Sequence, residues 1–118
     1  MDSLDELTHK LRDFARERDW EQFHSPKNLA MAMIVEAAEL VEHFQWLTAE
    51  QSHALDAVKR EEVRQEIGDV LIYLTRIADQ LGIDPVVAAH DKMVINAAKY
   101  PAELARGSAA KLGGSSKI

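Results

Sequence analysis

Apolar residues recur along the chain at helical spacing and almost nowhere in strict alternation, so the pattern predicts helices and no strands. Leu4, Leu7, Leu11 and Phe14 mark one face of a first helix, opened by Ser3 with Glu6 as a capping box and expected to run to about Asp19. Ser25 followed by Pro26 is an N-cap with proline at the first helical position, and predicts a second helix through about Trp46. Thr48 with Gln51 opens a short connecting helix. A further long helix is expected from about Lys59 to Gln80, stopping at Gly82. Asp84–Pro85 repeats the N-cap and proline signal for a last long helix to about Lys99, with Pro101 beyond it. The expected fold is therefore all-α, four long helices forming one domain over residues 1–106. Residues 107–118, rich in Gly, Ser and Ala, read as a flexible C-terminal tail.

The second helix departs from ordinary amphipathic patterning. Every residue from Leu29 to Val41 is apolar except Glu36 and Glu39. A helix apolar around most of its circumference needs cover on most sides, and a chain of 118 residues has few other helices to supply it. That predicts a homo-oligomer, a dimer at least or a tetramer built as a dimer of dimers.

Composition narrows the function classes. The chain has no cysteine, which removes disulfide scaffolds, thiolate metal sites and cysteine nucleophiles. Its formal charge of −6 has the wrong sign for a protein that grips nucleic acid by the phosphate backbone. A polyanionic substrate would have to be met through a metal ion. The N-terminus is acidic with no apolar core, unlike a signal peptide, and no apolar run approaches the length of a membrane span. The expected setting is a soluble protein of a reducing cytoplasm, without membrane or nucleic-acid partners.

Glu36 and Glu39 stand three residues apart, and Glu66 with Asp69 repeats the spacing on the third long helix, so each pair shares a helix face. Antiparallel packing of the two helices would bring the pairs together. At about 6 Å and an effective dielectric of about 20, each pair of charges costs on the order of 3 kcal/mol. The carboxylates must then bind protons or share a cation. Hard oxygen donors suit Mg²⁺, with Mn²⁺ as substitute. The plain alternative is a solvated acidic face, to which Glu42, Glu61 and Glu62 would equally belong. Against it, Glu36 and Glu39 interrupt an apolar helix, and Asp69 directly precedes the apolar run Val70–Leu74; acidic side chains are rarely buried unpaired. A carboxylate-bridged di-iron bundle would need Glu-x-x-His pairs inside the bundle. Glu21 with His24 and Glu50 with His53 have that spacing but fall at helix starts or connectors.

Lys92, Asn96 and Lys99 fall on one stripe of the last long helix and would suit a phosphate chain and a base or sugar, or else form a solvated polar stripe. Tyr73 lies one turn after Asp69. Trp20 and Trp46 sit at helix ends where a ring can wall a pocket, and His24 could donate into one; each could equally be a packing or loop residue.

Taken in order, Arg18-Asp19-Trp20-Glu21-Gln22-Phe23-His24, Glu36-x-x-Glu39-Leu40 with Phe44-Gln45-Trp46, Glu66-x-x-Asp69-Val70-Leu71-Ile72-Tyr73-Leu74 and Lys92-Met93-x-Ile95-Asn96-x-x-Lys99-Tyr100-Pro101 resemble the MazG-like, all-α nucleoside triphosphate pyrophosphohydrolases, and within them the dCTP pyrophosphatases. The resemblance runs from about Leu4 to Arg106. It implies a four-helix core assembled as a homo-oligomer with active sites between subunits. It also implies Mg²⁺ dependence and cleavage of a nucleoside triphosphate, dCTP or a modified dCTP, to monophosphate and pyrophosphate. By the same likeness Glu36, Glu39, Glu66 and Asp69 match the metal ligands. Trp20, His24, Trp46, Tyr73 and Asn96 match the nucleoside pocket, and Lys92 and Lys99 match basic positions near the phosphates. Glu39 is the candidate to accept a proton from the attacking water. At Leu11 the chain departs from cytosine-preferring members, which carry histidine there. A non-catalytic helical module that uses the apolar second helix for assembly is the rival expectation.

Overall fold

The computed structural model describes residues 3–109, and these are all helix, turn and loop, with no strand among them. The helices are α1 (Leu4–Glu17), α2 (Pro26–Glu42), the short α3 (Ala49–Ser52), α4 (Ala57–Gln80), α5 (Pro85–Lys99) and the short α6 (Ala102–Ala105), with a single 3-10 turn at Glu21–Phe23. Residues 110–118 of the expected tail lie outside the described residues.

The caps account for where each helix begins. The Ser3 side chain accepts from the Glu6 amide and that of Ser25 from the Asn28 amide, while Thr48 and Gln51 form both halves of a capping box. Asp84 accepts from the amides of Val86 and Val87 ahead of Pro85. Asp56 caps α4 through the Lys59 amide, so this helix starts at Ala57, slightly before the expected Lys59. The second helix ends at Glu42 and not near Trp46: residues 43–46 form turns in which the Phe44 and Gln45 amides both return to the Val41 carbonyl. Two of the long helices close with a left-handed residue. Gly82 (φ 65°) terminates α4 as expected, with the Ile83 amide on the Ala78 carbonyl. Asp19 (φ 54°) does the same for α1, with the Trp20 amide on the Ala15 carbonyl. First-helix patterning therefore carries no further than Glu17, and the left-handed step at Asp19 sends the chain into the turn that presents Trp20 and His24.

The chain divides into two compact units, one ending at Ile83 and the other starting at Asp84. In the first, α4 packs against α2 and against α1. Its interior holds Ala15 of α1, Leu29 of α2, and Val63, Thr75, Arg76 and Ala78 of α4. Of the apolar run on α2 only Leu29 is buried, while Met31, Ile34, Val35 and Val41 stand exposed. The second unit carries α5 and α6.

Candidate active site

Two neighbouring helices of the first unit, α2 and α4, bring the acidic residues together. One carboxylate oxygen from each of Glu36, Glu39 and Glu66 lies within 4.8 Å of the other two, and all three side chains are half-buried. Asp69 falls outside that trio, yet its charge is felt at Glu36. Glu66 Oε2 is buried with no hydrogen-bond partner, an acceptor the protein itself leaves unsatisfied. Burial, hydrogen bonding with Glu39 and Glu66, and the negative charges of Glu39 and Asp69 together push the Glu36 carboxyl up to about 7. A proton on Glu36 thus partly relieves the repulsion. A divalent cation would relieve more of it, and Glu66 Oε2 is an acceptor still open to a partner. An all-oxygen anionic donor set fits a hard divalent cation such as Mg²⁺ or Mn²⁺. Neither His24 nor His53 joins this cluster among the described residues, so the donor set lacks the histidines a di-iron centre of the Glu-x-x-His type requires.

The remaining expected residues divide between the units. On α4, Glu66, Asp69, Tyr73 and Arg76 follow one another at intervals of three, four and three, a single stripe leading away from the acidic cluster. Tyr73 is half-buried on that stripe. Trp20 stacks edge-on against Phe14 at 5.8 Å between ring centroids, and its other neighbour is His24 at 6.3 Å. Arg18 lies over the Phe14 ring at 3.5 Å. Trp46 sits in the turn after α2 with 86% of its surface exposed. Lys92, Asn96 and Lys99 occupy one stripe of α5 in the second unit, Lys92 exposed, the other two half-buried.

Sequence patterning did not single out Arg76 or Asp79. Arg76 is 4% exposed, reaches Asp79 at 3.2 Å through Nη1 and approaches His24 Nδ1 at 3.4 Å through Nη2. Asp79 is gripped as well by Arg12 of α1, whose Nε donates to Oδ2 at 2.8 Å and whose Nη2 donates to Oδ1. These hydrogen bonds hold the Asp79 carboxyl below the usual carboxylate range, the Arg12 bond first among the causes. His24 is depressed below its ordinary 6.5, by burial first and then by the charge of Arg76, with Glu21 opposing. The one signal available in sequence was position: Arg76 continues the stripe of Glu66, Asp69 and Tyr73.

Known proteins share both sequence and fold with this chain. The pattern of the MazG-like family matches residues 31–114. The dCTP pyrophosphatase 1 of Homo sapiens is 42% identical over 111 residues, which cover 92% of this chain and 65% of the human protein. That of Bos taurus is 40% identical over 111 residues and is covered to 66%. The chain therefore spans 65% of the length of the human relative it matches. A crystal structure of a pyrophosphatase from Archaeoglobus fulgidus superposes with a TM-score of 0.80 at 40% identity, over 86% of this chain and 94% of that one.

Proposed function

The chain belongs to the MazG-like family, and from that premise we propose that it is a Mg²⁺-dependent nucleoside triphosphate pyrophosphohydrolase. Its substrate in this reading is dCTP or a modified dCTP, cleaved to the monophosphate and pyrophosphate so as to cleanse the nucleotide pool. The observation that carries the reading is the carboxylate trio with its unsatisfied Glu66 oxygen, which is arranged for a divalent cation. The human and bovine relatives named as dCTP pyrophosphatases support the choice of substrate.

Glu36, Glu39 and Glu66, with Asp69 beside them, would hold the ion. When bound, a divalent ion supplies neutralisation of the phosphate charge and acidification of water. Glu39 accepts the proton of the attacking water. The water oxygen bonds to phosphorus, the α–β phosphoanhydride bond breaks, and its electron pair leaves with pyrophosphate. Lys92 and Lys99 are assigned to the phosphates and their developing charge. Trp20, His24, Trp46, Tyr73 and Asn96 are assigned to the nucleoside. The exposed apolar side chains of α2 support a homo-oligomer, dimer or tetramer, as the working form.

The test is pyrophosphate release from a panel of ribo- and deoxyribonucleoside triphosphates, with Mg²⁺ and then with EDTA. Metal-dependent formation of monophosphate plus pyrophosphate is the expected result. Orthophosphate in place of pyrophosphate would put the cut at the wrong bond. No turnover by a folded, Mg²⁺-binding oligomer would favour the rival reading, an assembly module without catalysis.

A further inference from the structure

Beyond Tyr73 the α4 stripe ends in Arg76, a guanidinium taken almost wholly out of water and touching the one histidine of the Trp20–His24 turn. We propose that Arg76 is a positioning residue that fixes His24 as the neutral tautomer protonated at Nε2, so that His24 offers the substrate a hydrogen-bond donor and not an acceptor. This rests on the placement of His24 in the nucleoside pocket.

The chemistry is set by what arginine can do. A guanidinium carries donors only, and its Nη2 stands 3.4 Å from His24 Nδ1. Nδ1 must therefore present its lone pair, and the single proton of the neutral ring sits on Nε2. An imidazolium would set N–H against N–H, and both burial and the Arg76 charge disfavour it, with Glu21 of the same turn opposing. The groups around the ring are Arg76 from α4, Glu21 from its own turn and the Trp20 ring; Asp79 acts on it only through Arg76. Arg76 cannot easily turn away, because Asp79 holds its Nη1 and is itself clamped by Arg12 across from α1.

A second feature of this guanidinium is a donor left over: Arg76 Nε is buried with no hydrogen-bond partner among the described residues, beyond the bonds that Nη1 and Nη2 make to Asp79 and His24. Its position is also informative. From Asp69 to Arg76 is seven residues, about 10 Å along the helix, so Arg76 stands about two turns from the acidic cluster. A fixed His24 Nε2–H there reads a ring carbonyl or an unprotonated ring nitrogen. A base that turned only N–H groups to it would be rejected, because two donors would face each other.

The experiment uses the full chain, ¹⁵N-labelled, with His24 assigned by comparison with His24→Asn. At pH 7 the wild-type ring is expected to show Nδ1 unprotonated and Nε2 protonated, and in Arg76→Met the ring is expected to become a tautomer mixture titrating closer to 6.5. With dCTP, dTTP, dATP and dGTP in Mg²⁺, both variants should lose about tenfold in kcat/KM on the best substrate and compress its lead over the next. Mn²⁺ affinity at the acidic cluster should not change. A wild-type ring protonated at Nδ1 overturns the proposal, and so does an undiminished lead of the best substrate over the next in both variants. Should Arg76→Met fail to fold, the wild-type tautomer and His24→Asn decide it. A wild type that cleaves none of these triphosphates sinks the pyrophosphohydrolase reading instead, and calorimetric affinities of the same nucleotides for wild type and His24→Asn then decide the donor role.

Discussion

Asp79 of α4 receives Arg12 of α1 on both carboxylate oxygens, the Nε bond measuring 2.8 Å, and so ties the first helix to the last turn of the fourth. The same carboxylate meets Arg76 at 3.2 Å and has only 11% of its side chain exposed. Removing its charge strands a buried guanidinium, which costs more than the loss of an exposed ion pair. Asp79→Asn is expected to destabilise the fold by about 2 kcal/mol, measured by urea unfolding. The sign with pH follows from the lowered carboxyl. The stability it contributes is present above the ordinary Asp value of 3.8 and is lost as pH falls through the folded value below it. The wild type should therefore lose stability in that acid window, and Asp79→Asn should lose less of it there.

The acidic cluster predicts the opposite slope. Glu36 is raised from its ordinary 4.5 to about 7, so in the metal-free protein its contribution is fully present below 4.5 and disappears as pH rises through about 7. Melting temperature in EDTA should fall between pH 5 and 8, and Glu36→Gln should flatten that fall. Added Mn²⁺ should raise the melting temperature increasingly over the same range, because the ion competes with the Glu36 proton. A flat wild-type profile in EDTA would remove the coupling among these carboxylates.

Catalysis and metal binding should separate between two members of the trio. Glu39→Gln keeps size and hydrogen bonding while removing a base, and is expected to lower kcat by about 10² or more with the fold intact. Glu66→Gln replaces the carboxylate whose Oε2 has no partner. Its first effect should be weaker Mn²⁺ affinity, with turnover partly restored at high metal. Equal metal titrations for the two variants would count against this division of roles.

The helices and the acidic pairs were legible because both are local. Caps at Ser3, Ser25, Thr48 and Asp84 and the stop at Gly82 are written within a few residues of the structure they produce. The i, i+3 spacing of Glu36 with Glu39, its repeat at Glu66 and Asp69, and antiparallel packing of the two helices were enough to expect the carboxylates together; three of the four lie within reach of one another and Asp69 stands outside the trio. Two features escaped because they are not local. Asp19 takes the left-handed position that sequence reasoning reserves for glycine, and so α1 ends at Glu17. Arg76 lies 52 positions from His24 in sequence, and an arginine in a helix ordinarily reads as solvated. Only the docking of α1 and the Trp20–His24 turn beside α4 converts it to a buried cation.

The exposed apolar face of α2 makes the last prediction. Met31, Ile34 and Val35 are 59%, 63% and 55% exposed in the single chain, on the same helix that supplies Glu36 and Glu39 to the trio. A helix that must hold carboxylates on one side and leaves isoleucine in water on another is unstable on both counts unless a second surface covers it. Ile34→Glu places a charge where that cover would lie, and burying it there would be strongly unfavourable. Light scattering after gel filtration should show the wild type as a dimer or tetramer and Ile34→Glu as a smaller species. Because Glu36 is only two residues away, disassembly should also loosen the trio, lowering Mn²⁺ affinity together with turnover. A wild type that runs as a monomer, or an Ile34→Glu variant that assembles and turns over like the wild type, would remove α2 from the interface and leave its apolar residues without a physical account.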